Sequence, residues 1–210
     1  MYESAYNDTK PAGQHRDEFK YAVKKIEIKR KPETNRLGYI GHVRAGQGIE
    51  LIFDALVEAR ELKLDMIGHG QALDYYKKLA QTKKIAERIT FYGFVKEEAQ
   101  MKHIISRWEM GLAVYDPSPT NLTYYTEPSK VKMYLQHKLP IIMTKITYIS
   151  KELEEFHAGV TVDYNKQSLI NGIKEIQKNY TYIADGIELL RDKYEFFRYY
   201  DSHLRFLNNI

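Results

Sequence analysis

The chain of 210 residues contains no cysteine, which excludes disulfide bonds and thiol chemistry. It also lacks any apolar run long enough to cross a bilayer, and its first residues, MYESAYNDTKPAGQHRDEF, have no apolar signal-peptide core. No internal repeat or low-complexity segment is present. We therefore expect a cytoplasmic protein that is not built on a disulfide scaffold.

A strong excess of charge of either sign is absent as well. The 32 lysine and arginine residues nearly balance the 28 acidic residues, which leaves a formal net charge of +4. This mild charge gives no reason to expect nucleic acid as a partner, although it is compatible with an anionic ligand. The hydrophobic share of 43% and the charged share of 29% indicate a folded globular chain rather than a disordered one.

Short apolar runs alternate with stretches of helical periodicity from Leu37 onwards. The runs, each of strand length, are LGYI (37–40), LDMI (64–67), ITF (89–91), GLAV (111–114), PIIM (140–143) and VTV (160–162). Between them apolar residues recur at helical spacing, for example at Ile49, Ile52 and Phe53. This alternation predicts an α/β fold, namely a Rossmann-like doubly wound parallel sheet of about six strands with helices on both faces.

The two ends of the chain depart from this pattern. Residues 1–35 are polar and show no clear helical or strand period, so we interpret them as a lead-in or linker segment before a domain at 36–180. Residues 181–210 follow the last predicted strand and are expected to form a C-terminal helix packed outside the sheet or on another domain. The apolar stripe of this helix comprises Ile183, Ile187, Leu190, Tyr194 and Phe197.

The turn after the first predicted strand, GYIGHVRAGQGIE (38–50), is rich in glycine. Gly41, Gly46 and Gly48 would let the backbone approach a ligand, and the helix that opens nearby offers free amides to an anion. The Arg44 guanidinium could clasp a phosphate. The spacing fits neither the dinucleotide fingerprint nor a Walker loop, so a tight turn with a solvated arginine is the alternative.

Two further turns follow strands on the same expected edge of the sheet. In MIGHGQALDYY (66–76) a glycine flanks His69 on each side, and the histidine either touches a ligand or merely occupies a turn. In ITFYGFVKEEAQM (89–101) Phe94 and Val95 could present an apolar wall and backbone polar groups to a base. Packing against the neighbouring helix is the alternative for this pair.

The stretch EPSK (127–130) marks the start of a helix. Pro128 and Ser129 are typical of the first turn, whose free amides, together with Lys130, would concentrate positive potential suited to a phosphate. Glu127 could cap the same helix or accept sugar hydroxyls. A capped helix with a solvated lysine remains the alternative to a ligand site.

Taken in order, these stretches resemble the C-terminal, donor-binding domain of family-4-type retaining glycosyltransferases of the two-Rossmann-domain (GT-B) architecture. The resemblance covers about residues 36–165. It is carried by LGYIGHVRAGQGIELIFDAL, LDMIGHGQALDYYKKLA, ITFYGFV, MGLAVYDPSPTNLTYYTEPSKVKMYLQHKLPIIMT and ELEEFHAGVTVDY. Five blocks in the family's order and at its usual separations make an accidental match improbable.

The resemblance implies roles for individual residues. The diphosphate of a nucleotide sugar would be held by Gly41, His42, Arg44, Gly46, Gln47, Ser129 and Lys130. The base and ribose would contact Phe94, Val95 and Met133, and the sugar would lie towards His69 and Glu127, with the 116–129 loop close by. Catalytic residues are not assigned beyond the candidates Glu127 and Lys130, and no metal or other cofactor is expected, because fixed amides and cations can neutralise a leaving diphosphate.

The chain departs from the family's pattern at four positions. The family commonly has arginine directly after its first glycine and a lysine or arginine before its second, and the corresponding positions here are His42 and Gln47. The family's two glutamates eight residues apart correspond here to Tyr125 and Met133. Arg44 could compensate for the first pair of changes, whereas the second pair removes both carboxylates.

The resemblance also implies a missing partner. Enzymes of this class have an N-terminal Rossmann domain that binds the acceptor, and residues 1–35 are too short to supply one. We expect the chain to be half of a longer enzyme, or a half that works with a separate partner, and to be inactive alone. By analogy the acceptor is a glycan or a lipid-linked glycan at the inner membrane surface, as in polysaccharide biosynthesis. A partly exposed C-terminal helix could also cause self-association.

Two other functions remain open from the sequence. The lost glutamates and basic residues would suit a non-catalytic module that binds a nucleotide or a sugar. Alternatively, the domain is a scaffold whose tyrosine-rich C-terminal helix binds a protein and whose cleft is vestigial.

Overall fold

Six parallel strands form the sheet that the apolar runs predict. The structure is a computed structural model that describes residues 30–118, 121 and 129–193. The strands are β1 (Arg36–Ile40), β2 (Lys63–Ile67), β3 (Ile89–Gly93), β4 (Met110–Ala113), β5 (Ile141–Thr144) and β6 (Gly159–Val162). Their order across the sheet is β3-β2-β1-β4-β5-β6, and every neighbouring pair is parallel. The predicted doubly wound Rossmann-like fold is confirmed.

Helices connect the strands and cover both faces of the sheet. They are α1 (Ile49–Glu58), α2 (Leu73–Thr82), α3 (Glu98–Ser106), α4 (Ser129–Gln136), α5 (Tyr148–Glu155), α6 (Lys166–Lys178) and α7 (Tyr180–Lys193), with a 3-10 turn at Ala86–Arg88. The apolar positions that predicted α1, among them Ile49, Ile52 and Phe53, are all buried. Helix α1 packs beside α6, and α4 packs beside α7. No helix within the described residues is both long and apolar enough to cross a membrane.

The strand order places β1 and β4 side by side at the centre of the sheet. The chain runs outward from β1 to β3 and then returns to the other side of β1. The loop after β1 and the segment after β4 therefore leave the same edge in opposite directions, and such a switch point is where open α/β sheets bind ligands. The predicted glycine loop and the predicted start of α4 both belong to this edge.

A buried polar cluster fixes β1 against β2 below that edge. The Trp108 indole lies over Gly38, where an added Cβ would be 1.9 Å from the ring. Its Nε1 donates to Asp65 at 3.0 Å, and Arg36 forms an ion pair with the same carboxylate at 2.8 Å. All the polar atoms of this carboxylate are thus used within the core, so the cluster is structural.

The last residues before β1 pack on the opposite, amino-terminal edge of the sheet. Arg30 donates to the carbonyl oxygen of Lys138 and to the hydroxyl of Tyr180, both at 2.8 Å. The backbone N–H of Lys31 donates to the carbonyl of Ser106 at 3.0 Å. The end of the lead-in segment is therefore bonded to the helices around it and lies away from the carboxyl edge.

Helix α7 confirms the predicted C-terminal helix within the described residues. Ile183, Ile187 and Leu190 of the predicted stripe are buried, and the helix contacts α4, α6 and β6. Tyr194 and Phe197 of the same stripe lie outside the described residues. The helix thus packs on the outside of the sheet, one of the two placements expected from the sequence.

Candidate functional site

The loop between β1 and α1 turns tightly at the carboxyl end of the central strand. Gly48 caps α1 with a φ of 69°, in the left-handed region that favours glycine. A Cβ at Gly48 would lie 2.2 Å from the carbonyl oxygen of Val114, so the loop backbone touches the segment that follows β4. Glycine at this position thus allows the loop to pack against the exit of β4, while the predicted approach to a ligand stays a prediction.

Asn121 ties this glycine loop to the segment after β4. Its Nδ2 donates to the carbonyl oxygens of Gly46 at 2.8 Å and Asp116 at 2.9 Å. The backbone N–H of Asp116 donates to the same Gly46 carbonyl at 3.2 Å. The sequence did not single out Asn121, and its only signal was its place in the 116–129 loop that the resemblance puts near the sugar.

The side chain of Lys130 points into the protein from the first turn of α4 and is 6% exposed. Its Nζ donates to Gln47 Oε1 at 3.2 Å and lies 4.1 Å from the ring centroid of Tyr39 and 4.7 Å from that of Tyr115. A Cβ at Gly41 would be 3.5 Å from this ammonium. The alternative of a solvated lysine is therefore wrong, and the predicted loop and helix start meet at one buried cation.

The surroundings of Lys130 disfavour its charge. Burial, helped by the positive charge of Arg44, lowers the pKa of Lys130 from 10.5 to about 7. Burial also raises the pKa of Tyr39 and of Tyr115, so both phenols stay neutral. Among the described residues, no carboxylate contributes to the shift in the pKa of Lys130.

Sequence reasoning missed the two tyrosines that enclose Lys130. Tyr39 is the penultimate residue of β1 and Tyr115 lies two residues after the end of β4, so each has the pattern of an ordinary core aromatic in an apolar run. The signal that could have found them is their shared place at the carboxyl ends of the two central strands. The Tyr39 hydroxyl also donates to the carbonyl oxygen of His42 at 2.9 Å, which links the ring to the glycine loop.

The other predicted diphosphate residues surround the buried cation at different depths. Gln47 is buried and accepts from Lys130, whereas Arg44 is half-buried in the loop. His42 and Ser129 are exposed. The structure therefore brings the two predicted halves of the site together, while a ligand contact for each residue stays a prediction.

Three aromatic side chains form a row along the same edge of the sheet. The His42 and His69 rings are stacked with centroids 6.0 Å apart, and Phe94 meets His69 edge-to-face at 5.6 Å. Phe94 is 71% exposed, whereas the Val95 side chain is buried. The row runs across the exits of β1, β2 and β3, so His69 lies between a predicted diphosphate residue and a predicted base residue.

The remaining predictions concern α4 and the segment before it. Met133 lies one turn after Lys130 and is partly buried against the hydrophobic core. Glu127, Pro128 and Tyr125 lie outside the described residues. Across the described ranges, no group of three or more histidine, aspartate or glutamate side chains could hold a metal ion.

This fold is that of a C-terminal domain of GT-B glycosyltransferases. Residues 55–193 match the family described as glucosyltransferase 3-like, C-terminal domain, and the chain belongs to that family. The matched residues include Ser129 and Lys130 and begin after the glycine loop. No curated protein sequence matches the chain significantly.

Solved structures share the fold at low sequence identity. Anabaena HepE in complex with UDP superposes with a TM-score of 0.65 at 15% identity, over 96% of this chain and 54% of HepE. The pneumococcal O-GlcNAc transferase GtfA, in complex with UDP and GlcNAc, superposes with a TM-score of 0.68 at 14% identity, over 90% of this chain and 38% of GtfA. The C-terminal domain of the group 1 glycosyltransferase LpcC from Francisella tularensis superposes with a TM-score of 0.60 at 16% identity, over 87% of this chain and 92% of that domain. The chain thus spans about half of HepE and less of GtfA.

Proposed function

We propose that this chain is the donor-binding domain of a retaining glycosyltransferase and that it holds the diphosphate of a nucleotide sugar between the glycine loop and the start of α4. The observation that carries the proposal is the buried ammonium of Lys130, which no carboxylate of the described residues balances. A buried cation without a counter-ion is costly, and an anionic ligand would relieve that cost.

The surrounding groups suit a doubly charged leaving group. The α1 and α4 helices begin beside Gly48 and Ser129, so their unbonded N–H groups and positive dipole ends face the same edge. Arg44 adds a second cation from the loop, close enough to depress the pKa of Lys130. Such preorganised dipoles and cations stabilise the charge that develops on a diphosphate as the glycosidic bond breaks, without an acid or a base on this domain.

The departures from the family-4 pattern fit this arrangement. Gln47 stands where the family commonly has a basic residue. Its amide oxygen accepts a hydrogen bond from Lys130, so this position holds the Lys130 ammonium instead of adding another buried cation. His42 replaces an arginine next to Gly41, and its carbonyl oxygen accepts from Tyr39. We infer that positive charge at this site has shifted towards Lys130 and Arg44.

Uridine diphosphate is the natural first probe. The HepE and GtfA structures contain UDP, and a second HepE structure contains UDP and glucose. The exposed row of His42, His69 and Phe94 offers planar groups beside the diphosphate site on which a base could stack. The acceptor would be a glycan or a lipid-linked glycan bound by an N-terminal domain, and the setting would be the cytoplasm.

The experiment is calorimetric titration of the chain with UDP, GDP and ADP. Replacing Lys130 by Met should weaken the preferred nucleotide about 10- to 100-fold, because a charge-assisted hydrogen bond contributes about 1.5–3 kcal/mol. The matched control is Lys174→Met, which removes the same charge from an exposed position on α6. Absence of binding to all three nucleotides, or equal affinity for the Lys130 variant, would exclude the donor site.

A non-catalytic nucleotide-binding module is the second candidate function. It is favoured by Met133 on α4, where the resemblance leads us to expect a carboxylate for the ribose. Supplying an N-terminal acceptor domain in trans and measuring UDP-sugar turnover separates the two functions. Turnover that depends on Lys130 supports the transferase, whereas nucleotide binding without any turnover supports the module.

A further inference from the structure

The Lys130 ammonium lies between two tyrosine rings, and no carboxylate of the described residues forms an ion pair with it. Its Nζ is 4.1 Å from the centroid of Tyr39 and 4.7 Å from that of Tyr115, both inside the range of about 6 Å for cation–π contacts. Tyr39 is fully buried and Tyr115 is 2% exposed. The rings are therefore fixed parts of the core that enclose the cation, one from β1 and one from the segment after β4.

Neutral ring faces hold a cation in a way that a carboxylate cannot. A carboxylate would neutralise the ammonium and would repel an arriving diphosphate, whereas a ring quadrupole attracts the cation and leaves its charge intact. The Gln47 amide oxygen acts in the same sense, because it accepts a hydrogen bond without carrying a charge. The enclosure formed by Tyr39, Tyr115 and Gln47, here called the lysine cage, thus surrounds the buried lysine with groups that carry no negative charge of their own.

Both tyrosines of the lysine cage make polar contacts, Tyr39 through its hydroxyl and Tyr115 through its backbone. The Tyr39 hydroxyl donates to the carbonyl oxygen of His42 at 2.9 Å, which joins the ring to the glycine loop. Thr144 Oγ1 accepts from the backbone N–H of Tyr115 at 2.9 Å and donates to its carbonyl oxygen at 3.0 Å. Lysine, loop and strand exits are consequently fixed relative to one another before any ligand arrives.

We propose that Tyr39 and Tyr115 are positioning residues of the donor site, which hold the Lys130 ammonium against Gly41 in the place where it contacts the diphosphate. The inference rests on the proposed function, since it assigns a ligand to this cation. Among the described residues, the charged and titratable groups that face Nζ from the packed elements are Arg44 of the loop and the two phenols. The tyrosines act through the lysine and are not themselves catalytic.

A double-mutant cycle on UDP affinity tests the proposal. Tyr39→Leu should weaken UDP binding about five- to thirtyfold in the otherwise unchanged chain, because it removes one desolvated ring face. In the Lys130→Met background the same change should alter the affinity less than about twofold, since the group that it acts through is absent. Tyr39→Phe, which keeps the ring, should restore most of the affinity. Phe53→Leu is the matched control, because its buried ring packs edge-to-face against Tyr76 instead.

If Tyr39→Leu does not fold, two variants of nearly the same shape at position 39 still test the inference. Pentafluorophenylalanine at position 39 keeps the shape of phenylalanine but reverses the ring quadrupole, so UDP should bind it at least fivefold more weakly than Tyr39→Phe. Equal affinity for these two variants, or a Tyr39→Leu effect that is the same with and without Lys130, would overturn the inference and leave the donor site intact. Failure of the unaltered chain to bind UDP, GDP or ADP would overturn both.

Discussion

Replacing Lys130 by Met should make the domain more stable while it removes the donor site. In the folded state burial lowers the pKa of Lys130 from 10.5 to about 7, so below that pH the fold contains a charged group that it disfavours. The difference between the two pKa values, at about 1.4 kcal/mol per pH unit, corresponds to roughly 5 kcal/mol. Methionine is apolar and similar in length, and it forfeits the Gln47 hydrogen bond and the ring contacts of the cation. We expect a net gain in the free energy of unfolding of about 3 kcal/mol at pH 6.5.

The gain should shrink as the pH rises. Between about pH 7 and pH 10.5 the unfolded lysine binds a proton that the folded lysine has released, so the unfolded state binds more protons and the stability of the unaltered chain rises with pH. From pH 7 to pH 8.5 this contributes about 2 kcal/mol. The advantage of Lys130→Met over the unaltered chain should therefore fall to about 1 kcal/mol at pH 8.5.

Urea denaturation at pH 6.5 and pH 8.5 measures both quantities. Trp108 is the only tryptophan and is fully buried, so its fluorescence reports on unfolding. Lys174→Met serves as the control and should change the free energy of unfolding by less than about 0.5 kcal/mol at either pH. A Lys130→Met variant that is less stable than the unaltered chain, by the same amount at both pH values, would refute the reasoning and make the lysine a structural residue.

Three further predictions concern the same edge of the sheet. UDP binding at pH 8 should be accompanied by the uptake of close to one proton, because the diphosphate raises the pKa of Lys130 from about 7. Calorimetry in buffers of different ionisation enthalpy measures this proton uptake, and its absence in the unaltered chain would contradict the prediction. Gly48→Ala should destabilise the fold by about 2–4 kcal/mol, because its Cβ would meet the Val114 carbonyl at a φ of 69°; thermal unfolding checks this. Asn121→Ala should weaken UDP binding about three- to tenfold, because it removes the hydrogen bonds that join the glycine loop to the segment after β4. The free energy of unfolding should fall by less than about 1 kcal/mol. An unchanged affinity for UDP would show that these hydrogen bonds are dispensable for binding.

The sheet could be predicted from the sequence because parallel strands leave a local trace. Strands buried on both faces read as uninterrupted apolar runs, and β4 and β5 are buried along their whole length. The helices between them bury one face each and so repeat at helical spacing, as Leu169, Ile170 and Ile173 do in α6. Each of these signals lies within one segment and needs no knowledge of its neighbours.

The candidate site could be predicted only in outline, because its contacts join distant segments. The sequence identified the glycine loop and Lys130 but left a solvated lysine open, since nothing local fixes the direction of a long side chain. That direction depends on the gap between the exits of β1 and β4, which exists only after the chain has crossed the sheet. Tyr39 and Tyr115 were missed for the same reason, as two core aromatics become a cage only when a third segment brings the cation.

One proton on Lys130 links the stability of this domain to its expected affinity for a nucleotide. Above pH 7 the folded chain without ligand releases that proton and becomes more stable, but the lysine then has no charge to offer a diphosphate. Below pH 7 the charge is present and costs stability, which an anionic ligand would return on binding. Stability and donor affinity should therefore change in opposite directions between about pH 7 and pH 9, and a Lys130→Met variant should lose both dependences together.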